Sequence, residues 1–82
     1  MTEGICVVGV MVDNRDAHAK QVQDVLTQHG RHILNRSGIP HPDDPNKGII
    51  LVTMLCALEE KEKMENELNA IPEVQTHCMR FE

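Results

Sequence analysis

Aromatic side chains are almost absent: the chain has no tryptophan, no tyrosine and a single phenylalanine, Phe81. Stacking of bases on aromatic faces therefore has no material to work with. Clusters of basic residues are missing as well. Eight Lys and Arg stand against 13 Asp and Glu, for a net charge of −5, and a phosphate backbone is bound by basic patches. Direct nucleic-acid binding is thereby excluded as an expected function. No apolar run approaches the roughly 18 residues of a membrane span, so no membrane partner is expected. The run that starts at Ile5 is short and has no basic flank, unlike a secretory signal. Cys6, Cys56 and Cys78 are odd in number, widely spaced and without a CxxC pair. That is neither a disulfide framework nor a zinc motif. Free thiols inside apolar runs point to a reducing compartment, the cytoplasm, and to a role as small apolar fillers. No nucleophile–base–orienter set is visible, and Gly9 stands alone inside a strand rather than in a phosphate loop. No enzymatic activity and no cofactor are expected.

The 82 residues allow one domain, 1–82. A chain this short buries only about 60% of its unfolded surface, and small domains of this kind draw stability from a partner or a staple. Ile5–Val12 is a continuous, β-branched apolar run of strand length. Asp13 or Asn14 can cap a following helix, in which His18, Val22, Val25, Leu26 and His29 recur at helical spacing. Gly30 supplies a left-handed stop. Arg31–Ile39 reads as a weaker strand. Gly38–Lys47 holds three prolines and reads as a stiff, irregular hairpin loop, with positive φ expected at Gly38. Gly48–Ala57 is a second strong strand. Leu58–Ala70 is an amphipathic helix built on Leu58, Met64, Leu68 and Ile71, with solvated pairs such as Glu59–Lys63. Pro72 ends it, and Val74–Phe81 is the last strand. The order β-α-β-β-α-β is the ferredoxin-like split βαβ pattern of the α+β class, with an antiparallel sheet in the order 4-1-3-2.

Two helices cover only one face of such a sheet. Alternation points Ile5, Val7 and Met11 one way, and Cys6, Val8, Val10 and Val12 the other. In the third strand Ile49, Leu51 and Leu55 oppose Ile50, Val52, Met54 and Cys56. Neither face of these central strands is polar, unlike an antiparallel sheet facing water. Burying six to eight such side chains at roughly 1.5–3 kcal/mol each outweighs an association cost of about 4–15 kcal/mol. The expected partner is the protein itself, as a dimer or tetramer packed through the helix-free face.

Candidate sites are few. Arg15, in the first turn of a helix where backbone N–H groups favour anions, and Arg36, before a glycine and a stiff loop, can take an anionic group. Gly38 and Pro40 shape the adjoining hairpin and complete this ligand-binding set. The competing reading has Arg36 paired with a carboxylate across an interface and Arg15 solvated. Five histidines invite a metal alternative. His18 and His29 share a helix face but sit roughly 16 Å apart. His29 and His32 flank Gly30 and can converge, while His77 and Cys78 point to opposite faces of a strand. A metal site would need His29, His32, His77 and Cys78 across a subunit interface. His41, Asp43 and Asp44 belong to a solvated loop, where nothing raises a carboxylate pKa or excludes water.

Several segments also resemble a known family across nearly the whole chain. These are Val10-Met-Val-Asp-Asn-Arg15, Val22-x-x-Val-Leu26, Gly30, Ile33, Arg36-x-Gly-x-Pro40, Gly48-Ile-Ile-Leu-Val52 and Leu68-x-x-Ile-Pro-x-Val74. Together they resemble the regulators of the iron-only hydrogenase system, short bacterial proteins with an ACT-like fold akin to the C-terminal domain of the nickel-responsive repressor. Arg36-Ser-Gly-Ile-Pro40 is the most specific of them. The resemblance implies a regulatory role acting through a small-molecule effector or a hydrogenase-related protein, with an effector pocket at a subunit interface. It also supplies the metal-sensing alternative, because the nickel repressor uses His and Cys from its sheet and a neighbouring subunit.

Overall fold

The computed structural model describes residues 3–81; Met1, Thr2 and Glu82 of the expected domain lie outside the described residues. The β-branched run forms β1 (Gly4–Asp13), and its even-numbered residues are buried while the odd ones are half-buried. The other elements are α1 (Arg15–Gln28), a 3-10 turn (Gly30–His32), β2 (Ile33–His41), β3 (Asp44–Cys56), α2 (Leu58–Asn69) and β4 (Val74–Phe81). The sheet is antiparallel throughout, in the order β2-β3-β1-β4. This is the expected ferredoxin-like arrangement, with the two apolar strands at its centre.

Both helices lie on one face. Val22 and Leu26 of α1 and Met64 and Leu68 of α2 are fully buried against Cys6, Val8, Val10, Val12, Val52, Met54 and Cys56. The opposite face pairs Ile5 with Leu55 and Phe81, Val7 with Thr53 and Met79, and Met11 with Ile49. None of the described residues covers it: Ile39 is 60% exposed, Leu51 51%, Met79 61% and Phe81 54%.

Four local expectations are corrected. The three-proline segment is not an irregular loop: β2 runs through Pro40 to His41 and β3 begins at Asp44, leaving a turn at Pro42 and Asp43. Pro40 is tolerated because β2 is an edge strand, where a missing N–H donor need not break a ladder. A bulge absorbs the rest, as the register jumps from Pro40↔Gly48 to His41↔Asp44. Gly38 is extended within β2, and no glycine among the described residues has positive φ. Gly30 accordingly is not a left-handed stop. It opens the 3-10 turn, in which the His32 N–H donates to the His29 carbonyl at 3.0 Å. Asn14, not a glycine, adopts the left-handed conformation (φ 71°, ψ 68°), and its side chain makes no capping bond. Asparagine tolerates that region better than most residues. The cap comes from across the fold, where Asn46 Oδ1 accepts from the Asp16 N–H at 3.2 Å.

Candidate functional site

Small residues open a gap between α1 and the β2–β3 hairpin. On the sheet side Gly38, Pro40 and Gly48 face the helix; on the helix side Ala19 stands opposite. Added to Gly38, a Cβ would sit in ordinary van der Waals contact with the Ile49 carbonyl and Ile50 Cγ1, each 3.7 Å away. The result is a cavity of about 180 Å³ floored by Val12, Val22 and Ile50, with Arg15 and Gln23 as its charged and polar side chains. No acidic residue lines it. Three of the four residues expected to bind a ligand, Arg15, Gly38 and Pro40, thus converge here.

Arg15 is held in place from two directions. Its Nη1 donates to the Pro45 carbonyl at 3.1 Å. Its aliphatic stem lies over Gly48, where a Cβ would come within 2.9 Å of Arg15 Cδ. Glycine is needed at position 48 for that close approach. Asn46 ties the same corner together, since its Nδ2 also donates to Asn14 Oδ1 at 3.1 Å. The expectation that the α1 N-terminus itself offers anion-binding donors needs revision. The Asp16 N–H is taken by Asn46, and those of Ala17 and His18 donate to the Asn14 carbonyl. Positive charge at the cavity therefore comes from the Arg15 guanidinium.

Arg36 is not a lining residue, but it grips the rim. Its Nη2 donates to Gln23 Oε1 at 2.6 Å, a contact within the chain. With its carbonyl engaged, Gln23 has its amide N–H donors left for a ligand. Gln23 escaped sequence reasoning because it sits on α1 between apolar positions and belongs to no motif. The signal that could have found it is helical spacing: it lies two turns from Arg15 and one from Ala19.

The residues of the metal alternative are dispersed. His29, nearly buried, bonds Glu67 Oε1 at 2.5 Å. His32 Nε2 lies 3.6 Å from Glu60 Oε2, too long for a hydrogen bond. These two share a polar cleft between the helices. His77 is on the helix-free face beside Gly9, and Cys78 packs toward the core on the other side. Among the described residues no three His, Cys, Asp or Glu side chains are grouped to hold a metal ion. His18 pairs with Glu73 at 3.1 Å, and the i,i+4 ion pair of α2 is Lys61–Glu65 at 2.7 Å.

The three cysteines are not independent fillers. Cys6, Cys56 and Cys78 share the helix-covered face at the end of the sheet opposite the cavity. Arg80 Nη1 donates to Cys6 Sγ at 3.0 Å and to the Cys56 carbonyl at 3.4 Å. Burial, reinforced by the neighbouring Cys6 thiol, pushes Cys56 up to about 11. Burial also raises Cys78, against the opposing charge of Lys61.

Comparison with known proteins extends this picture. The family model of TM1266-like proteins, described as iron-only hydrogenase system regulators, matches residues 4–78. None of the curated proteins matches the sequence. Among solved structures, TM1266 from Thermotoga maritima superposes with a TM-score of 0.90 at 20% identity, covering 98% of this chain and 99% of that one. CPII, a nitrogen regulatory PII-like protein from Thiomonas intermedia K12 bound to ADP, AMP and bicarbonate, scores 0.61 at 11% identity, with 96% of each chain covered. SnoaB, a cofactor-independent oxygenase from Streptomyces nogalater, scores 0.61 at 7% identity, covering 99% of this chain and 93% of its own. At such identities these likenesses show the fold alone, and that fold serves a regulator and an enzyme equally.

Proposed function

The chain belongs to the TM1266-like family of iron-only hydrogenase system regulators, and from that premise we propose that it is a non-enzymatic regulatory module that self-associates and responds to a small anionic effector. The observation that carries this reading is the cavity between α1 and the β2–β3 hairpin. Its volume suits a small molecule. Its apolar floor, the Arg15 guanidinium and the absence of acid lining favour a short aliphatic carboxylate over a cation or a bulky nucleotide. A guanidinium binds carboxylate through charge-assisted hydrogen bonds. Effector binding would bridge α1 and the hairpin, whose mutual position Arg15 and Asn46 already set.

Self-association through the helix-free sheet face is the second part of the proposal, supported by the exposed Ile39, Leu51, Met79 and Phe81. An uncovered apolar face of this extent marks an interaction surface. A cytoplasmic location is supported by three free thiols. No described helix is long and apolar enough to cross a membrane.

The effector site is tested by titrating butanoate, pentanoate and hexanoate into the isotopically labelled protein. Amide shifts should concentrate at Gln23, Gly38 and Gly48. Arg15→Gln should weaken binding about 10- to 100-fold, as loss of a hydrogen bond to a charged group implies. Gly48→Ala, which displaces the Arg15 stem without removing its charge, should weaken it by a smaller factor. Shifts elsewhere, or equal affinity in Arg15→Gln, would remove the site from consideration.

A further inference from the structure

Among the described residues, His77 is the only titratable side chain in the interior of the helix-free face. It is exposed and stands in the middle of β4, across from Gly9 of β1. The missing side chain at Gly9 leaves a shallow apolar notch, lined by Met11, Ile49, Gln75 and His77. Alternation places Gln75 and Met79 beside His77 on β4, Val7 and Met11 beside it on β1, and Leu51 beyond Gly9 on β3. On β2 the same face carries Asn35, Ser37 and Ile39. None of these is charged. The charges on this face are Asp13 and Lys47, which pair with each other at 3.7 Å at the strand ends. Asp13 lies four residues along β1 from Gly9, roughly 14 Å away. Arg36 and Arg80 have the opposite parity, pairing with Val52 and Cys6, and so belong with both helices on the covered face. His41 lies beyond the bulge at the hairpin turn, where its Nδ1 accepts from the Asp43 N–H at 3.1 Å.

A second copy of the chain is the occupant this face fits. The protein carries a net charge of −5, so two copies repel one another over most of their surface. On this face the one acid, Asp13, is already matched by Lys47, and like-charged copies meet here at least cost. A two-fold contact brings the same patch from both copies, so His77 enters the interface twice. Resting on the self-association proposed above, we infer that His77 makes that association pH-dependent, with the neutral ring accepted in the interface and the imidazolium excluded from it. A neutral imidazole can enter an apolar contact. An imidazolium would be buried there with no carboxylate beside it, and burial of an unpaired charge is strongly disfavoured. The proton therefore binds the free copy in preference to the assembled one. By linkage, association is strongest above the range in which histidine titrates and is lost as the pH falls through it. The charge of the whole molecule acts with the opposite sign. Acidification lowers the net negative charge, weakens repulsion between copies and by itself tightens association. Weakening in acid is thus specific to a histidine taken into the interface.

Sedimentation velocity on dilution series of the full chain, at pH 8 and pH 5.5 and constant ionic strength, reads the effect. The dissociation constant should rise at least about tenfold on acidification, because exclusion of even one proton per dimer gives about tenfold per pH unit once histidine titrates. Far-UV circular dichroism at pH 5.5 should show the released copies still folded. His77→Gln keeps a polar, uncharged side chain at the position, so this variant should stay associated at pH 5.5. His41→Gln, at the hairpin turn, should keep the full pH dependence of the native protein. A native protein that is monomeric already at pH 8 removes self-association and this inference together. An assembly whose dissociation constant does not change with pH leaves self-association standing and overturns the role of His77. Tighter association in acid, pH dependence that persists in His77→Gln, or loss of helical signal along with mass at pH 5.5 would each overturn it as well.

Discussion

Replacing Leu51 with aspartate is expected to yield a folded monomer where the proposed self-association predicts an oligomer for the native protein. Leu51 sits on β3 at the centre of the helix-free face, opposite Gly9 of β1 and Ser37 of β2. It is half exposed in the isolated chain. In a monomer the carboxylate would face water at little cost, so the fold should survive. In a face-to-face assembly it would be buried without a partner, and unpaired buried charge is strongly disfavoured. A penalty of about 4 kcal/mol corresponds to roughly a thousandfold weaker association. Light scattering coupled to gel filtration at micromolar concentration reads the outcome. A native protein that is already monomeric, or a variant of unchanged mass, would refute self-association through this face. Thr53, already polar on the same face, is the internal control: Thr53→Ser should leave the mass unchanged.

Truncating Leu26 to alanine should be the most damaging single change to stability. Leu26 is fully buried under α1 against the sheet. Deleting a buried leucine side chain costs about 2–5 kcal/mol, against a total of about 5–15 kcal/mol for an ordinary domain. In a chain of this size each kcal/mol shifts Tm by roughly 4–8 °C. Thermal unfolding should therefore show a fall of about 10–30 °C. Leu58→Ala is the comparison, because Leu58 is 42% exposed at the start of α2. It should cost less than about 1 kcal/mol. Equal losses at the two positions would mean that the core is not where the structure places it.

The limits of reading residues one at a time are clearest at the turns and in the thiol cluster. The three prolines read correctly as conformational restraint but wrongly as an irregular loop, because Pro40 is harmless only on an edge strand with a bulge beside it. Asn14 was legible as a helix boundary, yet its cap is supplied by Asn46, 32 positions away. Of the ligand set, Arg15, Gly38 and Pro40 meet at one cavity, while Arg36 reaches it only through Gln23. Strand parity set Cys6 with Val8, Val10 and Val12 and set Cys56 with Ile50, Val52 and Met54, but that these sets share one face with Cys78 and Arg80 depends on the β1–β3 and β1–β4 registers.

The doubly apolar runs Ile5–Val12 and Ile49–Cys56 determined by themselves that these strands lie at the sheet centre and that two helices cannot cover both faces. Alternation is a property of the strand backbone, so it needs no tertiary information. Which faces meet, which small residues leave a cavity and which cysteines share a face with Arg80 were decided only by the tertiary structure. Those are contacts between segments far apart in the chain, fixed by register and helix docking rather than by local preference.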